Sequence, residues 1–155
     1  MESPQNQVWG PALWMLLHHS TERIGSRSLQ RLPEEESRLW LSLLSSLRYS
    51  LPCPLCKKHY ASYFASASLG SFSKESMRVW LFQLHEKVNL YTNKPYTITL
   101  EQLPEIYSIP FQYTKYSSVF VAHMALALNK GWCKREDTHR TMRFLEEMRR
   151  FYDFF

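Results

Sequence analysis

Apolar side chains recur at helical spacing along almost the whole chain, and no segment shows the period-two alternation, bounded by turn residues, that a half-buried strand requires. That pattern predicts an all-α protein, with prolines and glycines marking where its helices start and stop. A first helix is predicted from Trp9 to Ile24, with Pro11 near its start, where the missing amide donor costs little. Leu13, Leu17, Thr21 and Ile24 share one of its faces. A second starts at Pro33, carries Glu34, Glu35 and Glu36 in its first turn against the helix dipole, and offers Leu39, Trp40, Leu43, Leu44 and Leu47 to a core before Pro52 stops it. A third runs from Cys53 to Ala67, with Pro54 at its first position and Gly70 beyond its end. A fourth, from Ser73 to Tyr91, presents Met77, Trp80, Leu81, Leu84 and Val88 on one face and is ended by Asn93, Lys94 and Pro95. A short fifth opens on Thr99 and Gln102 at capping-box spacing and ends before Pro110. Two more are predicted beyond Pro110: Tyr113 to Lys130, capped by Gly131, and Asp137 to Tyr152, with Met142, Leu145, Met148 and Tyr152 in line.

The 155 residues, 45% apolar and 21% charged, are enough for one packed unit and too few for two comfortable ones. Glycine is scarce and there is no low-complexity segment, so disordered and collagenous classes are excluded. No apolar run approaches the roughly 18 residues of a spanning helix. The best stretch, Val119 to Leu128, is broken by His123, so no membrane partner is expected. Residues Met1 to Gln7 lack both the apolar core of a signal peptide and the Arg/Ser bias of a transit peptide, and a cytoplasmic setting is expected. The net charge of +5 is spread along the chain. Without a concentrated basic stripe, a nucleic-acid partner is not expected.

Cysteine occurs three times, at 53, 56 and 133, which is the wrong parity for a disulfide-stapled secreted scaffold. Cys53 and Cys56 form a Cys-x-x-Cys on the first turn of the third predicted helix, close enough for a small disulfide ring, where the helix N-terminus favours thiolates. The same spacing also serves zinc, with His59 as a third ligand. A fourth is not evident, since neither Cys133 nor His123 sits in a second knuckle. A thioredoxin-type site would need a βαβ frame, and the flanks here are helical.

Trp14 and His18 are four apart and share a helical face, and His85 and Asn89 repeat that geometry on the fourth helix. Taken singly, a Trp on an apolar stripe belongs to a core and a lone His is a structural hydrogen-bonding residue. Together, the flat faces of Trp14, His18 and His85, the amide of Asn89 and the cation of Lys94 describe a pocket for a planar aromatic ring system bearing a phosphate.

Three linked motifs now stand in order. They are Trp9-Gly10-(three residues)-Trp14-(two)-Leu17-His18; Pro52-Cys53-Pro54-Leu55-Cys56-Lys57-Lys58-His59-Tyr60; and Trp80-Leu81-(three)-His85-(two)-Val88-Asn89-(four)-Lys94-Pro95. Over about residues 8 to 107 their order and spacing resemble the Erv/ALR family of FAD-linked sulfhydryl oxidases, and most closely the members encoded by large DNA viruses. The resemblance implies a four-helix bundle with a short fifth helix, FAD inside the bundle, and the flavin ring beside the disulfide. It implies an enzyme: substrate thiolate attacks Cys53, Cys56 leaves as the flavin-facing thiolate, and electrons pass through FAD to molecular oxygen, giving hydrogen peroxide and a disulfide in the protein substrate. By motif position Gly10, Trp14, His18, His85, Val88, Asn89 and Lys94 would contact FAD, with Tyr60 and Tyr96 as neighbours. A homodimer is the usual family state. On this reading residues 1–110 are the sulfhydryl oxidase domain and 111–155 a helical C-terminal extension, rich in aromatics, that packs on the core or forms a dimer contact.

The chain also departs from the family pattern. The second, structural disulfide of many members would join positions that are Phe82 and Thr99 here, and packing of Phe82 is predicted to replace it. Glu86 stands where Asn is usual, and Thr92-Asn93 where Leu-Gly is frequent. Members commonly keep a shuttle cysteine pair, whereas Cys133 is alone. Either it pairs with another chain, or it is a spare thiol and substrate attacks Cys53 directly. The rival reading from another class is a non-enzymatic helical adaptor that uses the aromatic tail, with Cys53, Cys56 and His59 holding zinc.

Overall fold

The first helix begins earlier than its apolar pattern, because a later helix of the chain holds its start. In the computed structural model, which describes residues 2–155, α1 spans Asn6–Thr21. The Gln5 carbonyl accepts from the amides of Val8 and Trp9 at 2.9 and 3.0 Å, and the Gln5 amide donates to His123 Nδ1 at 3.0 Å, 118 residues away. Pro11 therefore lies in the second turn, not at the start as expected. The helix also stops before Ile24: Arg23 and Ile24 donate to Ser20 and Thr21, three residues back, and Gly25 takes φ +87°. Ile24 stays buried, in a turn.

The other predicted helices are present with modest shifts. They are α2 Pro33–Ser50, α3 Pro54–Ser66, α4 Lys74–Tyr91, a 3-10 turn Leu100–Gln102 running into α5 Leu103–Tyr107, α6 Tyr113–Asn129 and α7 Arg135–Phe151. Every regular element among the described residues is helical, and none is long and apolar enough to cross a membrane. Cys53 and Ala67 are the caps of α3, not members of it. At the end of α4, Asn93 adopts φ +56°, a left-handed conformation that Asn tolerates better than most residues, and this lets the Lys94 amide return to the Asn89 carbonyl at 2.8 Å. Asn93 thus fills the left-handed position that glycine commonly takes after a helix.

The order of packing follows the buried faces. α3 lies against α2, where the Tyr60 hydroxyl donates to the Leu44 carbonyl at 2.6 Å, and reaches α4 through Tyr63, whose hydroxyl donates to the Trp80 carbonyl at 2.7 Å. α1 packs on α4 and α5, and Arg23 ties the end of α5 down by donating to the carbonyls of Tyr107 and Ile109 at 2.6 and 2.7 Å. Glu22, almost fully buried, is held by both arms of Arg78 at 2.8 and 2.9 Å. Phe82 does bridge α4 to the segment before the fifth helix, its ring 5.3 Å from that of Tyr96.

α6 covers α1 and α7 covers α2, and the core runs through all of them without a break: Trp9, Leu13, Trp40, Leu44, Phe120, Met124, Leu145 and Met148 belong to one buried cluster. The stripe predicted for α7 keeps Leu145, Met148 and Tyr152 buried but differs at one position. Met142 lies at the surface, and Thr138 and Thr141 take the inward positions with Leu145, Met148 and Phe151. The reason is a polar seam: Thr141 Oγ1 bonds Ser50 and Ser46 on α2 at 2.6 and 2.9 Å. Farther along, Tyr152 accepts from the Trp40 indole at 2.8 Å and donates to the buried Glu36 carboxylate.

A cysteine pair and a histidine-centred ring cluster along one helix

Asn6, Gly10, Trp14 and His18 stand four residues apart on α1 and form one inclined row of its surface. At one end of the row is the cysteine pair. Cys53 and Cys56 are joined in a disulfide, both half-buried, and the Asn6 amide lies 3.6 Å from the Cys53 sulfur and 3.7 Å from that of Cys56. Because Cys53 caps α3, its sulfur also accepts the Cys56 backbone N–H at 3.2 Å, as an N-cap oxygen would. Pro54, at the first helical position, gives up no bond there.

At the other end is a cluster of rings. Trp14 and His85 are stacked face to face with centroids 4.0 Å apart, Tyr96 lies 4.3 Å from His85, and Tyr107 stacks on His18 at 4.7 Å. His18 Nε2 and His85 Nδ1 are 3.2 Å apart, a hydrogen bond in which one ring donates and the other accepts. Val88 and Asn89, half-buried, follow His85 along α4, and exposed Lys94 is close enough to disfavour a second positive charge on His85. Tyr60 stands apart from this cluster, wedged between α2 and α4 with its hydroxyl on Leu44. Glu86 is exposed.

Burial first, then His85 and His19, lower the pKa of His18 to about 3; burial, then Lys94, lowers that of His85 to about 4. Both rings are neutral at pH 7. An unfolded chain would protonate each near its ordinary value of about 6.5, so their contribution to stability is complete above that pH and is lost as pH falls from about 6.5 toward about 4 for His85 and about 3 for His18. Moving from about pH 7 to about pH 5 is expected to cost about 2 kcal/mol for one ring and up to about 4 kcal/mol for the pair. Thermal melts at the two pH values read this directly, and a His85→Gln chain should show a flatter dependence. Equal melting temperatures for the unaltered chain would contradict it.

Whether these residues suit a flavin dinucleotide is decided by what they offer. The Tyr96 hydroxyl, against His85, is buried without a partner, which is a donor awaiting an acceptor. Gly10, midway between the sulfurs and the rings, faces open space: an added Cβ would meet nothing within 4 Å. Neutral flat rings, an amide and a cation complete a set that matches an aromatic ring system with phosphates. The residues present fit FAD.

Some functional candidates escaped the sequence reading. Asn6 has no motif around it, and only the fold brings it to the sulfurs. Tyr107 and His19 join the ring cluster, His19 stacked on Phe111 at 4.0 Å with its Nδ1 buried and unpartnered; the adjacent His18-His19 pair was the available signal. His59 lies flat on Tyr91 at 4.0 Å, and among the described residues no three His, Cys, Asp or Glu side chains converge as a metal site. Cys133 is buried, its thiol 3.6 Å from the Leu51 carbonyl and 3.9 Å from the Lys57 ammonium, so as folded it is not presented to another chain. Burial pushes that thiol's pKa up, against the pull of Lys57.

Comparison with known proteins agrees with the geometry. The family model described as Erv1 / Alr matches residues 11–107. A frog virus 3 protein provisionally named an FAD-linked sulfhydryl oxidase is 29% identical over 102 residues, covering 65% of this chain and 67% of that one. The FAD-linked sulfhydryl oxidase of an African swine fever virus isolate from Kenya is 27% identical over 92 residues, covering 56% and 69%. No solved structure matches. The family model spans well over half of the chain and takes in the Cys-x-x-Cys, the ring-bearing parts of α1 and α4, and Lys94, and the chain belongs to the Erv1/Alr family.

Proposed function

We propose that the chain is an FAD-dependent thiol oxidase that makes disulfides in protein substrates. The observation that carries this is the placement of the Cys53–Cys56 disulfide and the neutral His18–His85 ring cluster on one row of α1, with open space at Gly10 between them. The names of the viral relatives point the same way.

A substrate thiolate attacks the Cys53 sulfur; the new S–S bond forms there, the Cys53–Cys56 bond breaks, and its electron pair leaves on Cys56 as a thiolate. A second substrate thiolate attacks the substrate sulfur of that mixed disulfide. The substrate leaves oxidised, and Cys53 is released as a thiolate onto the Cys56 backbone N–H that already points at its sulfur. Two thiols have become one disulfide, and the cysteine pair holds two electrons. Gly10, Trp14, His18, His85, Val88, Asn89, Lys94 and Tyr96 would hold FAD, the rings by stacking, Tyr96 through its free hydroxyl and Lys94 through charge on a phosphate. FAD, when bound, supplies the acceptor for that electron pair and its return to molecular oxygen as hydrogen peroxide. Tyr60 serves by bracing α3, and with it the cysteine pair, against α2.

The faces of α1 and α2 that α6 and α7 cover are not open to a second copy, so a homodimer would use neither of them. Purified protein is expected to carry stoichiometric FAD and, given dithiothreitol, to consume oxygen and form hydrogen peroxide in equal amounts. A colourless protein that consumes no oxygen even after FAD is added would overturn the proposal.

A further inference from the structure

We infer that Asn6 is a catalytic residue of the redox pair: its side-chain amide is the donor that receives the negative charge on the Cys56 sulfur when the disulfide opens. The two sulfurs are not equally provided for. Cys53 has the Cys56 backbone N–H at 3.2 Å and the Asn6 amide at 3.6 Å, whereas among the described residues the only donor to the Cys56 sulfur is Asn6, at 3.7 Å. A disulfide sulfur is a weak acceptor and a thiolate a strong one, so the bond gains strength as the electron pair arrives on Cys56. The amide is also aimed. Its oxygen accepts the Trp9 indole N–H at 3.0 Å, which fixes the carboxamide with its NH2 toward the sulfurs.

The C-terminal helices hold this arrangement in place. Trp9 packs against Phe120 of α6 with ring centroids 5.9 Å apart, and His123 of α6 accepts the Gln5 amide at 3.0 Å, which pins the residue next to Asn6. Both Asn6 and these supports lie outside the residues matched by the family model.

The inference rests on reading Cys53 and Cys56 as a redox pair, and its test is a thiol titration that needs neither FAD nor turnover. In a Cys53→Ala chain, the pH dependence of iodoacetamide alkylation gives the pKa of the Cys56 thiol; Cys133, buried, does not compete. Adding Asn6→Ala is expected to raise that pKa by about one unit, the size of a lost hydrogen bond to a charged group. Adding Asn6→Asp should raise it further, because the carboxylate keeps the acceptor for Trp9 and sets a negative charge beside the sulfur. A merely structural role would put the alanine chain above the near-isosteric aspartate chain. Unchanged values in both, or an aspartate value at or below that of the Asn6 chain, would overturn the inference. Loss of oxidase activity in the unaltered protein would instead count against the proposed function and leave the titration intact.

Discussion

Cys56→Ala is expected to lower oxidase turnover by about a thousandfold or more while leaving flavin bound. The chemistry offers no detour. Thiol oxidation by exchange needs a disulfide that can open and reclose, and with Cys56 gone Cys53 can only form a mixed disulfide with substrate and stall. Cys133 is no substitute: it is buried, its thiol pKa is raised by burial, and it is engaged with the Leu51 carbonyl and Lys57. Flavin retention follows from separation along α1. The ring cluster begins two turns beyond the sulfurs, and none of its stacked contacts involves Cys56. Cys53→Ala is expected to stop turnover as completely, since it removes the sulfur that substrate attacks. Anaerobic mixing with dithiothreitol separates the two roles: bound flavin should stay oxidised in Cys56→Ala. Reduction at the unaltered rate would show that the flavin-facing sulfur is the other one.

Much of this was legible in the sequence, for definite reasons. The Cys-x-x-Cys at a proline-marked helix start is a local feature, and so are the four-residue spacings of Trp14 with His18 and His85 with Asn89; local spacing on a helix fixes which side chains share a face. The seven helices were readable because their boundaries are chemical: Pro33, Pro54, the Ser73 cap, Gly131. What could not be read depends on contacts across the chain. α1 gains its first turn from His123, 118 residues from the Gln5 it holds, and the apolar pattern starting at Trp9 holds no trace of it. Of the stripe read for α7, Leu145, Met148 and Tyr152 are buried and only Met142 was misplaced, because methionine outranks threonine on any burial scale, yet Thr141 is the better fit once Ser46 and Ser50 stand opposite. Asn6 is invisible for the same reason: its partners are sulfurs 47 and 50 residues away.

A chain ending at Pro110 is expected not to fold into a stable molecule, although the family match ends at Tyr107. That cut would remove Phe120, Met124, Leu145, Met148 and Phe151, each no more than 3% exposed and all in the same buried cluster as Trp9, Leu13, Trp40 and Leu44. Truncating any one such side chain costs about 2–5 kcal/mol, and a native domain of this size is stable by only about 5–15 kcal/mol, so losing five of them exceeds what the rest can sustain. The exposed faces of α1 and α2 would also be contiguous and apolar, which favours aggregation over a soluble partly folded state. The shortened chain should therefore be recovered mostly insoluble, and any soluble fraction should lack a cooperative thermal transition by circular dichroism. A soluble product melting cooperatively within a few degrees of the full chain would show that α6 and α7 are an appendage. The site gives a reason to expect otherwise. α6 holds Gln5 and Trp9, Trp9 aims Asn6, and Lys57, one residue past Cys56, donates to the Trp132 carbonyl in the turn between α6 and α7. The same two helices that complete the core thus brace the cysteine pair from both sides, and a change that loosens them should be felt in thiol reactivity before it is felt in helix content.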